Sequence, residues 1–179
     1  MASDSSAQIN VCDHPACIAE DRLLEDCDIQ RTRASGPGGQ HRNKTETAIQ
    51  ITHQPTGLTA LAYERRSQED NRKVAVFRMR LTLAAVHRTV KSRIVNPTTL
   101  WESRCPKGKI SCNDSHHDFP SMIAEAMNAV DAKNFDVRLA AAALGCSTSQ
   151  LVRFIAKSAE AFRALNTGRE QVGLRRLKP

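Results

Sequence analysis

Aromatic side chains are scarce: the 179 residues hold one Trp, one Tyr and five Phe. Proteins that read single strands by stacking bases on an aromatic platform need more, so a polyanionic partner is expected to be held through its phosphates. Long apolar runs are also missing. No stretch approaches the roughly eighteen apolar residues a spanning helix requires, and no basic region leads into an apolar stretch near residue 1, so neither a membrane span nor a secretory signal is read and a cytoplasmic protein is expected. Acidic residues are short everywhere but at the start. Residues 1–30 hold seven acids against Arg22 alone, so the net charge of +7 conceals a body of +13 over residues 31–179. A body of that charge expects a nucleic acid, and the length suits one ordinary domain or two small ones.

Six cysteines are present, without the paired short knuckles usual in structural zinc sites. Cys12, His14 and Cys17 lie close in sequence, and Cys105, Cys112, His116 and His117 form a second group that would complete a tetrahedral site if the two met. Free thiols are the default in a cytoplasmic chain, and neither a metal nor another cofactor is expected.

Along the chain, residues 1–18 are polar and acidic and read as a flexible arm. Residues 19–24 suit a helical turn, and residues 27–33 alternate as a strand with Cys27, Ile29 and Arg31 on one face. Asn43 is placed to cap one turn over residues 43–46. Ile49 and Ile51 mark a second strand over 47–53, Pro55-Thr56-Gly57 marks a turn, and residues 58–63 return as a third strand, completing a hairpin. Ser67 with Asp70 resembles a capping box, with Asp replacing the usual Glu, and opens a long helix. Its apolar stripe is Val74, Phe77, Leu81, Ala84 and Ala85; Arg72, Lys73, Arg78, Arg80 and Arg88 fill much of the rest. The fold class is therefore α+β: a small βαββα domain over residues 19–95, with an antiparallel sheet and one long packed helix.

Residues 96–118, with two prolines, a third just beyond at Pro120, and the single Trp101, read as a linker or an ordered loop that packs on its neighbour through the indole. Residues 119–179 contain no strand candidate, and helices are predicted over 122–130, 137–144, 148–156 and 159–165. Ala141, Gly145 and Leu151 fit helix-turn-helix spacing. Residues 136–179 carry eight Lys or Arg against three acids, making this an all-α basic module.

The most unusual stretch is Arg33-Ala34-Ser35-Gly36-Pro37-Gly38-Gly39-Gln40-His41-Arg42-Asn43-Lys44, with three glycines and a proline in four residues, bases on both sides and no acid. Glycine and proline there exclude a helix or strand interior and leave bare peptide N–H groups accessible. A solvated turn is the plain alternative for such a cluster. Its neighbours argue otherwise: Ser35-Gly36-Pro37-Gly38-Gly39-Gln40-His41, then Asn43-Lys44-Thr45-Glu46, Ile51-Thr52-His53-Gln54-Pro55-Thr56-Gly57 and Glu64-Arg65-Arg66-Ser67-Gln68-Glu69-Asp70-Asn71 occur in order. This set, covering about a third of the chain, resembles the GGQ domain of class I peptide chain release factors and their short ribosome-rescue relatives.

The resemblance implies hydrolysis of the ester joining a nascent peptide to tRNA, carried out in the ribosomal peptidyl transferase centre by Gly38, Gly39 and Gln40. The Gln40 backbone N–H would stabilise the oxyanion, its side chain would shape the water site, and a glutamine methyltransferase would be a partner that N5-methylates it. Arg33, Ser35, Gly36, His41, Arg42, Asn43, Lys44, Arg65, Arg66 and Arg72 are the candidate contacts to ribosomal RNA and tRNA; His41 is the only base on offer. A monomer is expected. Two departures stand out: Pro37 replaces a common alanine, and some thirty residues precede the first matched strand where decoding factors carry a large codon-reading domain. Codon-independent rescue of stalled ribosomes is thus the expected activity, with the helical module replacing the basic tail of rescue factors as RNA anchor and removable without loss of the GGQ fold. A non-catalytic ribosome-binding protein and a DNA-binding helix-turn-helix regulator are the alternatives.

Overall fold

The computed structural model describes residues 14–32, 47–90 and 93–178. A short helix α1 (Glu20–Glu25) leads into β1 (Cys27–Thr32), β2 (Ala48–His53) and β3 (Leu58–Ala62), which form one antiparallel sheet in the order β1-β2-β3. The register pairs Ile29 with Ile51 and Ile51 with Ala60. Period-two alternation then puts Ile49, Ile51 and His53 on the buried face with Ala60 and Ala62, while Gln50, Thr52, Thr59 and Leu61 form the opposite, wetter face. The β2–β3 turn follows its residue types: Gly57 adopts φ 69° and donates to the His53 carbonyl at 2.8 Å.

Helix α2 (Gln68–Val86) starts where expected, with Ser67 Oγ accepting from the Asp70 N–H at 3.4 Å. Its stripe differs from the prediction. The fully buried positions are Asn71, Ala75, Val76, Met79, Leu83, Ala84 and Ala85, whereas Val74, Phe77 and Leu81 are half-buried at the margins. The reason is that α2 has two packed sides. One covers β2 and β3 and the other meets the helical region that follows, so no single stripe describes it.

Three of the arginines that fill the rest of the α2 stretch bond to the protein. Arg78 Nη1 donates to the Leu61 carbonyl at 2.7 Å, Arg80 Nε to the Ala16 carbonyl at 3.0 Å, and Arg88 Nη1 to the Ala84 carbonyl at 2.9 Å. Arg88 also donates to the carbonyls of Ala85 and His87, satisfying the C-terminal end of the helix. The last five residues of the stretch expected to be a flexible arm are packed here: His14 and Ala16 are fully buried.

The proline-containing segment after α2 is an ordered strap. It carries α3 (Thr99–Arg104) and a single 3-10 turn (Pro106–Gly108). Trp101 is buried and donates from Nε1 to the Leu144 carbonyl at 2.8 Å, meeting the Phe154 ring edge-on. Four helices follow: α4 (Phe119–Ala132), α5 (Val137–Ala143), α6 (Thr148–Ala156) and α7 (Ala159–Gln171). Twelve of the fourteen residues of α4 are buried, as an apolar helix surrounded by others must be. Helix α7 runs past its predicted end at residue 165 because Gly168 does not stop it. A Cβ there would lie 2.0 Å from the Phe135 ring, so the glycine is the seat for that side chain.

One hydrophobic cluster runs from Ile49 and Ile51 through Met79 and Leu83 to Ile123, Leu151 and Ile155. Loss of residues 119–179, expected to leave the small domain's fold intact, would uncover the second packed side of α2.

Candidate functional site

Thr32, the last residue of β1, pairs with Ala48, the first of β2. Residues 33–47 therefore leave and return at a single end of the sheet. Gly38, Gly39 and Gln40 lie outside the described residues, as do Arg33, Ser35, Gly36, His41, Arg42, Asn43 and Lys44 and the helical turn expected at 43–46.

The described surroundings of this end are specific. β3 also finishes here, because Ala62 pairs with Ile49, so the segment 63–67 and the first turn of α2 begin beside the strand ends. Arg65, Arg66 and Arg72 are thereby brought to the end of the sheet that carries the glycine-rich segment. Arg65 and Arg66 are exposed and Arg72 is half-buried, and among the described residues none of the three forms an ion pair. Cations left free in this way are available to phosphate.

Asn71 holds the arrangement together and was missed by sequence reasoning. Fully buried in the first turns of α2, it donates from Nδ2 to the Thr47 carbonyl at 2.7 Å and to the Arg65 carbonyl at 2.9 Å, and its Oδ1 accepts from the Arg65 N–H at 2.8 Å. One side chain thus ties the residue from which β2 starts to the segment bearing the arginines. The available signal was its position: Asn71, Ala75 and Met79 recur every fourth residue, so a polar side chain shares the buried stripe. A second brace is Glu64, whose Oε1 lies 2.6 Å from Arg78 Nη2 and whose Oε2 accepts from the Tyr63 N–H at 3.0 Å. Partial burial opposes ionisation of this carboxyl, yet hydrogen bonds from Arg78 and the backbone hold it below the usual carboxylate range.

Of the Cys/His groups weighed for a metal, Cys12 lies outside the described residues, and among the described ones His14 and Cys17 form no close ligand group with Cys105, Cys112, His116 and His117. His14 lies against His87 at the end of α2, its Nε2 3.1 Å from the His87 carbonyl and its Nδ1 accepting from the Ala16 N–H at 3.0 Å. Among the described residues one trio of close potential ligands occurs, His116, His117 and Asp118, and a guanidinium already fills it. Arg104 donates to Asp118 Oδ2 from Nε at 2.9 Å and from Nη2 at 2.7 Å, and Nη2 is also 3.1 Å from His116 Nε2. Burial raises the Cys105 and Cys112 thiols, which disfavours the thiolate a metal needs.

Comparison with known proteins bears on this end of the sheet. The family model for the RF-1 domain matches residues 22–114, which span β1 to β3, α2 and the strap. The chain belongs to the RF-1 domain family. Within the match lie the paired strand ends, Asn71 and the three arginines. Among similar proteins, "Peptide chain release factor 1" of Caldicellulosiruptor saccharolyticus is 42% identical over 69 residues, covering 38% of this chain and 19% of the relative. "Peptide chain release factor PrfB1, chloroplastic" of Arabidopsis thaliana is 48% identical over 62 residues, 35% of this chain and 14% of the relative. "Peptide chain release factor 1" of Endomicrobium trichonymphae is 56% identical over 52 residues, 29% of this chain and 15% of the relative. The chain thus spans about a fifth or less of the length of these curated relatives. Among the described residues, no single helix of this RF-1 domain protein is long and apolar enough to cross a membrane.

Proposed function

We propose that the protein is a ribosome-dependent peptidyl-tRNA hydrolase of the release-factor type, acting on stalled ribosomes without reading a codon. The observation that carries the reading is the convergence at one sheet end: strand termini that bracket Gly38-Gly39-Gln40, three arginines without an ion pair among the described residues, and Asn71 binding the two together. Family membership supports the same chemistry.

In the proposed reaction water attacks the ester carbonyl carbon, the bond to the ribose oxygen breaks, and a free peptide carboxyl and a tRNA hydroxyl result. Negative charge gathers on the carbonyl oxygen as the attack proceeds. A single preorganised donor aimed at that oxygen is worth on the order of 3 kcal/mol, and the Gln40 backbone N–H is assigned this role. Gly38 and Gly39 leave that peptide unit unobstructed by any Cβ. The Gln40 side chain shapes the water site and is the proposed target of a glutamine methyltransferase. Arg65, Arg66 and Arg72, with Arg33, Arg42 and Lys44, hold ribosomal RNA and the tRNA acceptor end through phosphates. The protein acts as a monomer.

The helix-turn-helix alternative has a specific observation against it. Helices α5 and α6 are bent by 102°, and Gly145 in their turn has φ 69°, a geometry that suits the motif. A groove-reading helix needs the side chains of its first turns free. Here Gln150 is spent on the strap: Oε1 accepts from the Ile110 N–H at 2.8 Å and Nε2 donates to the Gly108 carbonyl at 2.9 Å.

The deciding experiment is peptide release from purified ribosomes holding peptidyl-tRNA on a truncated, stop-free mRNA. Wild type is expected to release peptide and both Gly39→Ala and Gln40→Ala to lose most of that activity. Release that persists undiminished in Gly39→Ala would move the chemistry elsewhere, and wild-type binding without release would favour a non-catalytic ribosome-binding role.

A further inference from the structure

We propose that the face built from the strap and α6 is a binding surface for the phosphate backbone of folded RNA, centred on Lys107, Lys109, Arg153 and Lys157. The strap runs along α6 from its first turn to its last. Gln150 bonds to Gly108 and Ile110 near the start of the helix, and Lys157 Nζ donates to the Cys112 carbonyl at 2.7 Å just beyond its end. Residues 150, 153 and 157 fall within about 60° of one another around a helix of 3.6 residues per turn, so Arg153 and Lys157 share the edge along which the strap lies. Close contact is enforced at the turn. Lys107 and Gly108 both adopt left-handed torsions, φ 52° and 74°, and a Cβ on Gly108 would sit 3.0 Å from the Gly145 carbonyl oxygen. The strap is therefore seated on the α5–α6 turn, with its two lysines fixed beside α6.

Lys107, Lys109, Arg153 and Lys157 are all exposed, and among the described residues none of them forms an ion pair. Asp118, at the far end of the strap, is paired with Arg104 at 2.7 Å. Lys157 is further oriented by the Phe154 ring, 5.8 Å from its ammonium. Four positive side chains without acidic partners, on a backbone locked by hydrogen bonds, are complementary to a run of phosphates.

The same face is unsuited to reading bases. Its aromatic residues, Trp101 and Phe154, are 1% and 2% exposed, so neither offers a stacking surface. Gln150, the polar side chain placed to reach a base edge, is consumed by the strap. What the strap leaves is contact with phosphate, independent of sequence, made by a helix-turn-helix whose Gln150 is taken up by Gly108 and Ile110. The choice of RNA over DNA rests on the ribosomal reading above, while the test below measures binding and not release, so the two fail separately.

The test uses the full chain, with Lys107, Lys109 and Arg153 changed together to Ala; Lys157 is left intact because it bonds to the strap. Binding is followed by anisotropy on a labelled RNA hairpin of mixed sequence, on a DNA hairpin of the same sequence and on vacant ribosomes, across a salt series. Wild type is expected to bind RNA with log K falling linearly against log salt. The triple variant, melting at an unchanged temperature, should bind roughly 10²-fold more weakly at 0.1 M salt, with a slope shallower by about 2 to 3. A control variant, Arg175→Ala with Arg176→Ala and Lys178→Ala, should lose much less. Unchanged affinity and slope in the triple variant would overturn the proposal, as would loss confined to the control variant. DNA bound more tightly than RNA would overturn the assignment of the partner.

Discussion

Two regions share one core in this protein but contribute to it unequally. On the sheet side, the large side chains that are fully buried are Leu23, Ile51, Met79 and Leu83; on the helical side they are Trp101, Phe119, Met122, Ile123, Met127, Leu144, Leu151 and Ile155. At about 1.5–3 kcal/mol for each such burial, most of the apolar stabilisation comes from the side that lacks the glycine-rich segment. Buried polar groups occur on both sides, Asn71, His14 and His53 with the sheet and Thr98, Ser121, Glu125, Ser158, Asn166 and Arg169 with the helices, so the sheet side carries three of them against far fewer large apolar groups. A sheet with one wet face and a small core cannot stand on apolar packing alone. It borrows that from the helices through α2, and its own buried side chains fix where backbone segments sit.

The comparison breaks most visibly at Trp101. Removing an indole that is 1% exposed and bonded to the Leu144 carbonyl should cost about 4 kcal/mol, the cavity included. Because α2 is shared, Trp101→Ala is expected to lower the midpoint of one urea transition seen equally by probes on both sides. Two separated transitions would mean that the sides are energetically independent and that the sheet does not depend on the helices.

His14 sharpens the contrast by putting a titratable group inside the sheet side, against His87 at the end of α2. Burial is the main cause that lowers its pKa to about 4; the hydrogen bond to the His87 carbonyl opposes this, and the nearby charges of His87 and Arg88 add to it. A depressed folded-state value means that the unfolded chain takes up the proton first. The stabilisation is therefore complete above about pH 6.5 and is lost as pH falls toward 4, by about 2 kcal/mol at pH 5. Urea titrations should show this loss in wild type and a flatter dependence in His14→Gln over the same window. Parallel curves for the two would remove His14 as the source.

How far all this was legible depended on whether the signal was local. The glycine cluster, the Pro55-Thr56-Gly57 turn and the alternation of Ile49 and Ile51 are written into adjacent residues, and β2, β3 and the cap at Ser67 fell where those residues put them. The stripe of α2 was misjudged because what buries Val76 and Met79 is chain that lies far away in sequence. The roles of Arg78, Arg80 and Arg88 were hidden for the same reason: each donates to a backbone carbonyl, and carbonyls leave no mark on composition. Helix α7 was read as ending at residue 165, and only the position of Phe135 shows why Gly168 sits inside it. The site itself divides in this way, since the motif at 38–40 is plain in sequence while Asn71, which ties the neighbouring backbone down, is visible only once α2 is placed.

Asn71 gives a smaller expected change in stability than Trp101 and the one most closely tied to function. Asn71→Ala leaves the Arg65 N–H and the carbonyls of Arg65 and Thr47 without their partner, a cost of about 2 kcal/mol given that water reaches part of this end. Such a loss is half that at Trp101, and the fold should survive it. What changes is the tether between the start of β2 and the segment bearing Arg65 and Arg66. If Gly38-Gly39-Gln40 carries out release, then loosening one of its two anchors lowers the fraction of time the Gln40 N–H meets the ester oxygen. Orientation losses of this kind typically cost about tenfold to a hundredfold in rate. The expected result is a slower maximal rate of peptide release at saturating protein, with ribosome affinity unchanged because Arg65, Arg66 and the basic strap remain. A variant that instead lost affinity and kept its maximal rate would show that Asn71 serves the arginines and not the glycine-rich segment.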